Sequence, residues 1–266
     1  MKINKTIYQV DAFADEPFRG NPAGVMIVDE HMSSERMQSI AMEMNLSETA
    51  FIMPMDGIFR IRYFSPTKEV PLCGHATLAS AHILYEFGFV DKTDPIIFQA
   101  QSETLNIAVD NELITMKFPK YFIEKTKITK NFNEIIGFEP IEAYKSEYDW
   151  IIAVAASEDD ITHAKPNFDK MIDNGLGHLM ITAKSTSFNS DFVVRCFAPQ
   201  MGINEDPVTG SAHCALAPLW AAKLGKSEMD SIQLSKRSGK IKVKLAGDKV
   251  EIKGAAVTIF EAELVI

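Results

Sequence analysis

A stretch without charge occurs twice in this chain, and it limits what the chain can fold into more than any other feature. Residues 76–85 contain no Asp, Glu, Lys or Arg, and neither do residues 212–222. A glycine opens each stretch, Gly74 or Gly210, and another stands near its end, Gly88 or Gly225. A surface helix shows a polar face, so an uncharged helix of this length has to be buried on nearly all sides. In a lobe this small, strands wrapped around the helix supply that cover. Pro218 lies inside the second stretch and predicts a kink or shortened first turns there.

The surroundings of the two stretches repeat as well. Arg62-Tyr63-Phe64-Ser65-Pro66 precedes the first and Arg195-Cys196-Phe197-Ala198-Pro199 the second, at a constant offset of 133 residues. The shared order of Arg-x-Phe-x-Pro, loop, glycine and apolar run reads as an internal duplication into two pseudo-equivalent lobes. At each helix start the glycine lets backbone approach a ligand, and the first-turn N–H groups suit a carboxylate. Two such starts, one per lobe, are expected to meet across a cleft.

The 266 residues are 46% hydrophobic and 24% charged, an ordinary globular balance for one large or two small domains. A net charge of −9 argues against nucleic acid as a partner but leaves a small anionic substrate open. Three cysteines without regular spacing are not a disulfide framework and fit a reducing compartment. No apolar leader precedes the first strand pattern and no run is long enough to span a membrane. A cytoplasmic location is expected.

Strand patterns occupy residues 7–13, 25–28, 46–52, 59–64, 96–100, 105–109 and 113–118, with a turn at residues 19–24. Ser33-Ser34-Glu35 carries capping chemistry for a helix whose apolar face is Met37, Ile40, Ala41 and Met44, closed by Asn45. A lysine-rich stretch at 120–130 marks the lobe boundary. The lobes are therefore residues 1–122 and 123–266, with the last strand open to packing back on the first. In the second half, helices are expected near 133–138 and 168–172, and strands at 150–155, 179–183 and 191–197. A loop at 204–209 leads to Gly210, and three meander-like strands at 240–245, 249–253 and 257–265 finish the chain.

Alternation in 46–52 places Glu48 on one side with Leu46, Ala50 and Ile52. A carboxylate among aliphatic neighbours is desolvated, which raises its pKa toward the range useful for proton transfer. The alternative is a Glu at a strand end with its head in water. His75, beside Gly74, either packs at the helix start or holds a substrate carboxylate and shares a proton. Asp206 and Ser211 are turn or cap residues on one reading and site residues on the other. Neither a dinucleotide fingerprint, a phosphate loop nor a C-x-x-C pair is present. Six scattered histidines, with His75 and His82 seven apart and His31 remote from both, predict no metal site.

Asp11-Ala12-Phe13, Gly20-Asn21-Pro22-Ala23, Asn45-Leu46-Ser47-Glu48-Thr49, Phe64-Ser65-Pro66, Cys73-Gly74-His75-Ala76-Thr77 and Asp206-Pro207-Val208-Thr209-Gly210-Ser211-Ala212 together resemble the PhzF family. That family holds the phenazine-biosynthesis isomerase and its relatives, and the resemblance runs nearly end to end. It implies an α+β, diaminopimelate epimerase-like fold: two pseudo-symmetric lobes, each a curved, mostly antiparallel, barrel-like sheet around a central helix, with the site between them. It also implies an enzyme without a cofactor, usually a homodimer.

Carried over position by position, Glu48 matches the catalytic carboxylate, and His75, Asp206 and Ser211 match the residues that support it. Gly74, Ala76, Gly210, Ala212 and Asn21 match substrate-binding positions. In the phenazine enzyme the substrate is a dihydro-hydroxyanthranilate; the carboxylate takes a proton from one ring carbon and returns it to another, and the enol becomes a ketone. The implied function is isomerisation of a small carboxylate-bearing substrate. The alternatives are an amino-acid racemase or epimerase using Cys73 and a non-catalytic small-molecule-binding protein. Two-thiol relatives resemble Cys-Gly at both helix starts, whereas here the second reads Thr209-Gly210. A hydroxyl is too weak an acid or base to replace that thiol, so Cys73 reads as a buried small residue.

Overall fold

The computed structural model describes residues 5–29, 32–128 and 131–265; His31, Lys130 and the first four residues lie outside it. Two compact units form, one from residues up to Lys117 together with those from Lys253 onward, the other Phe118–Ile252.

The first unit runs β1 (Thr6–Ala12), β2 (Asn21–Ile27), α1 (Ser34–Met44), β3 (Glu48–Pro54), β4 (Phe59–Phe64), β5 (Glu69–Val70), α2 (Gly74–Glu86), β6 (Ile96–Gln99), β7 (Thr104–Asp110) and β8 (Leu113–Pro119). β1 pairs antiparallel with β2 and, on its other edge, with the C-terminal strand Ala256–Glu263. β2 then pairs parallel with β3, β3 antiparallel with β4, β4 parallel with β6, and β6 antiparallel with β7. Each parallel pair needs a crossover, which α1 and α2 supply. The expected turn at 19–24 is shorter than its composition suggests. Gly20, at φ +65°, makes it, and Asn21-Pro22 already belong to β2, paired with Ala12 and Asp11. Leu46 and Ser47 likewise precede β3, which begins at Glu48.

α1 is capped as its sequence predicts: Ser33 accepts from the Arg36 N–H, and Asn45 closes the helix in the left-handed conformation at φ 50°. Its Met37, Ile40 and Ala41 pack with Phe51 and Met53 of β3. Alternation then turns Glu48, Ala50 and Ile52 to the opposite face, toward α2. α2 packs on β1, β2, β3 and the C-terminal strand, and all but a few of its residues are buried. Burial of each large aliphatic side chain contributes about 1.5–3 kcal/mol, so Leu78, Ile83 and Leu84 hold this helix in place. Gly254 lies so close that an added Cβ would stand 2.4 Å from Phe13 Cδ1 and 3.1 Å from Leu78 Cδ1.

The second unit repeats the plan. It contains β9 (Ile123–Lys125), α3 (Phe132–Ile136), β10 (Glu142–Ser146), β11 (Ile151–Val154), α4 (Glu158–His163), α5 (Phe168–Asp173), β12 (Leu179–Lys184), β13 (Phe192–Ala198), β14 (Ile203–Asp206), α6 (His213–Leu224), β15 (Glu228–Gln233), β16 (Gly239–Ala246) and β17 (Lys249–Gly254). β10 and β11 pair antiparallel, β11 and β12 parallel, β12 and β13 antiparallel, β13 and β15 parallel, and β15 and β16 antiparallel. That is the order of pairings from β1 to β7. α4 and α5 stand where α1 stands, and α6 where α2 stands. Both lobes are thus α+β, each a mostly antiparallel sheet with one buried helix. β9, β10, α4, β14 and β15 were not expected; β9 lies in the stretch read as the lobe boundary, and β14 occupies what reads as a loop.

The duplication extends to side chains. The Arg62 guanidinium clasps Glu69 through Nε and Nη2, both at 2.7 Å, and lies 5.1 Å from the centroid of Phe64. Arg195 clasps Glu205 at 2.7 and 3.0 Å and also lies 5.1 Å from the centroid of Phe197. Bidentate pairing fixes direction as well as distance, so it ties β4 in one lobe and β13 in the other to the segment before the buried helix. Pro218 does not break α6. The carbonyl its ring leaves without a helical donor, that of Cys214, accepts from the Tyr121 N–H at 3.0 Å.

Glu158, at the start of α4, holds the loop after β12. Burial opposes its ionisation, but bonds from the Ser187 hydroxyl, the Thr186 N–H and the Ser185 hydroxyl outweigh that and hold the carboxyl down at about 2. Its stabilisation is fully present above the unfolded-state value of about 4.5 and is lost as pH falls toward 2. Glu158→Gln should therefore destabilise the protein by about 1.5–3 kcal/mol at neutral pH. Urea midpoints of variant and parent should converge as pH is lowered below about 4.5; a constant difference down to pH 3 would contradict the assignment.

Candidate active site

Glu48, Cys73 and His75 meet where β3 begins and α2 starts. The Glu48 carboxylate Oε2 lies 3.3 Å from His75 Nε2 and 3.5 Å from Cys73 Sγ, and the thiol lies 3.4 Å from His75 Nδ1. Glu48 is half-buried, with 16% of its side chain exposed, and the other two are buried. Cys73 occupies the N-cap position of α2, but its side chain turns to Glu48 and His75 instead of capping the helix. Burial lowers the His75 pKa to about 4, so the imidazole is neutral near pH 7. Its contact with Glu48 is then the close approach of a neutral ring to a carboxylate, not an ion pair. The start of α2 is held from behind: the Tyr63 hydroxyl bonds Thr77 Oγ1 at 2.6 Å, and Thr77 donates to the Cys73 carbonyl at 2.7 Å.

This arrangement can hold a negative charge and move a proton. The positive end of α2 favours an anion at its first turn. At Gly74 nothing lies within 4 Å of where a Cβ would be, so the backbone is open to a ligand there. Ala76 follows, fully buried. Asn21, on β2, is also fully buried, two positions from Ala23, which pairs with Glu48.

In the second lobe, Asp206 ends β14 and accepts from the Thr209 hydroxyl. Gln233 fastens this loop: its amide donates to the Asp206 carbonyl at 2.7 Å and accepts from the Thr209 N–H at 2.9 Å. Gly210, Ser211 and Ala212 form a tight turn ahead of α6 and are not its first residues. The N–H groups of His213, Cys214 and Ala215 bond back three residues, to the carbonyls of Gly210, Ser211 and Ala212. Ser211 is exposed and Ala212 buried. His213 takes the place of Thr77, with Nδ1 donating to the Thr209 carbonyl at 3.1 Å and Nε2 accepting from Ser231 at 2.9 Å. Burial lowers its pKa to about 4.

The two lobes therefore differ where chemistry is expected. Thr49 pairs with Phe64, and Leu179 with Phe197, so the position matching Glu48 is His178. Its ring packs on Trp150 at 5.5 Å. Thr209 stands in the place of Cys73, and burial raises the Cys196 thiol far above its usual range. Glu48 and His75 lie together at the start of α2. Cys73, read from the sequence as a small buried residue, is buried but also joins that cluster. The signal was its place next to Gly74-His75. Histidine spacing argued against a metal site, yet among the described residues Glu48, Cys73 and His75 bring three donor atoms within 4.8 Å of one another. His82 pairs instead with Glu86, at 3.0 Å.

This duplicated architecture is the diaminopimelate epimerase-like fold. It is shared with a probable proline racemase from Agrobacterium radiobacter, at a TM-score of 0.64 and 10% identity over 98% of this chain and 93% of that one, a likeness of fold alone. The model of the PhzC-PhzF family, phenazine biosynthesis-like proteins, matches residues 10–262, and the chain belongs to that family. An uncharacterized isomerase from Halalkalibacterium halodurans is 42% identical, with 98% of each chain covered. The crystal structure of a PhzF family protein from Enterococcus faecalis matches at a TM-score of 0.92 and 35% identity, over 98% of this chain and 99% of that one. The protein is an isomerase of this family.

Glu48 is positioned by a close approach of β2 to β3. A Cβ added to Gly24 would lie 2.8 Å from Thr49 Oγ1 and 2.9 Å from its Cγ2. Gly24→Ala should cost about 1–3 kcal/mol by overpacking and displace β3 next to Glu48. Thr49→Ala in the same chain removes both clashing atoms, so thermal denaturation should show the double variant recovering most of the loss. A double variant no more stable than Gly24→Ala would contradict this account.

Proposed function

We propose that the protein isomerises a small carboxylate-bearing substrate without a cofactor, with Glu48 carrying a proton from one carbon to another. The observation that supports this is the half-buried Glu48 carboxylate, 3.3 Å from Nε2 of a neutral His75 at the start of a buried helix. The substrate's carboxylate binds the first turn of α2 at Gly74 and Ala76. Glu48 removes a proton from an activated carbon, the electron pair delocalises into the adjoining unsaturated system, and the proton is delivered to a second carbon. No atoms are gained or lost and no oxidation occurs. His75 donates to Glu48 and keeps the carboxylate aimed through both transfers. Asp206, Ser211, Gly210, Ala212 and Asn21 are assigned to orienting the same substrate.

General acid–base catalysis by one positioned group contributes about a hundredfold to ten-thousandfold. Incubation with a panel of cyclic hydroxy acids and amino acids in heavy water should reveal a compound that gains carbon-bound deuterium. On that compound Glu48→Gln should lower turnover by about a hundredfold or more, and activity within a few-fold of the parent would reject the reading. A second reading is favoured by the thiol contact: Cys73 is the proton carrier, as in an epimerase. It predicts the opposite pair of results, with activity lost in Cys73→Ala and kept in Glu48→Gln.

A further inference from the structure

We infer that Glu48, Cys73 and His75 form a binding site for a thiophilic divalent cation, zinc above all, and that the ion inhibits the enzyme by occupying the proton carrier. The binding half stands on geometry alone, whereas the inhibition rests on Glu48 being that carrier. Zinc bonds of about 2.3 Å to sulfur and about 2.0 Å to nitrogen and oxygen, at tetrahedral angles, put bound donors about 3.5 Å (S···O and S···N) and about 3.3 Å (N···O) apart. Here Cys73 Sγ is 3.5 Å from Glu48 Oε2, His75 Nε2 is 3.3 Å from the same oxygen, and Sγ is 3.9 Å from Nε2. Two edges of the triangle already have the bound length, and the third closes with a few tenths of an ångström of side-chain rotation.

The donor chemistry agrees with the geometry. One thiolate, one imidazole and one carboxylate are a three-ligand set that leaves the fourth tetrahedral position to water or a substrate oxygen. Calcium and magnesium take oxygen ligands and are poorly served by it. Binding releases the thiol proton, and thiolate and carboxylate together balance the ion's charge against the positive end of α2. The 16% of the Glu48 side chain that remains exposed gives the ion its way in. Cys73 and His75 are two residues apart, so the N-cap geometry of α2 fixes their relative placement. An ion held this way uses the Glu48 electron pair that would accept the substrate proton.

The test uses the full chain, reduced, with Co²⁺ alone and then Zn²⁺. One equivalent of Co²⁺ should give a near-ultraviolet thiolate-to-cobalt charge-transfer band and the visible bands of a tetrahedral ion, both erased by Zn²⁺. Cys73→Ser should abolish the charge-transfer band, His75→Gln should weaken binding at least tenfold, and Cys196→Ser should keep the band. Circular dichroism confirms that each variant is folded. No charge-transfer band in the parent protein, or one that survives Cys73→Ser, would overturn the site. Deuterium wash-in should stop with one equivalent of Zn²⁺ and return with a chelator; a zinc-loaded enzyme that still exchanges would overturn the inhibition. The spectra do not depend on turnover, so failure of Glu48 as proton carrier and failure of the metal site are read separately.

Discussion

Two helices with no charged residue on most of their length cannot stand in water, and the rest of the chain is arranged to cover them. α2 is packed by β1, β2, β3 and the C-terminal strand, which returns after the whole second unit has been built. The repeated alternation of antiparallel and parallel pairings follows from this need. A parallel pair forces the chain to cross over, and in each lobe the second crossover is the buried helix itself. A helix end in such a place leaves N–H groups that secondary structure does not satisfy. That is where Glu48, Cys73 and His75 gather.

Much of this was legible in the residues. The spacing of the two Arg-x-Phe-x-Pro segments announced the duplication, and the paired Arg–Glu clasps beside Phe64 and Phe197 are its physical counterpart in the fold. The caps of α1 and the absence of charge in α2 reported local preferences, which a sequence states openly. Glu48 was marked by its place among aliphatic residues on one face of a strand.

What stayed hidden depended on distant partners. The start of α6 at His213 follows a tight turn of three-residue bonds that glycine at 210 does not announce. Pro218 reads as a helix breaker because nothing nearby shows that the Tyr121 N–H will take up the Cys214 carbonyl. Asn21-Pro22 has the composition of a turn yet sits in β2, because Gly20 makes the reversal one residue earlier. Cys73 was discounted because Thr209 replaces its counterpart at the second helix start, and its contact with Glu48, 25 positions away in sequence, is not announced by any local pattern.

The two clasps, nearly identical in their distances, stand beside helix starts that no longer match: Cys73 against Thr209, and Glu48 against His178. Rigidity and reactivity have thus been assigned to different residues of the same repeat. A half that keeps its guanidinium clasp can exchange the groups at its helix tip while its strands stay in register. One scaffold can in this way carry different groups at its two tips, as symmetry in the frame leaves them free to differ.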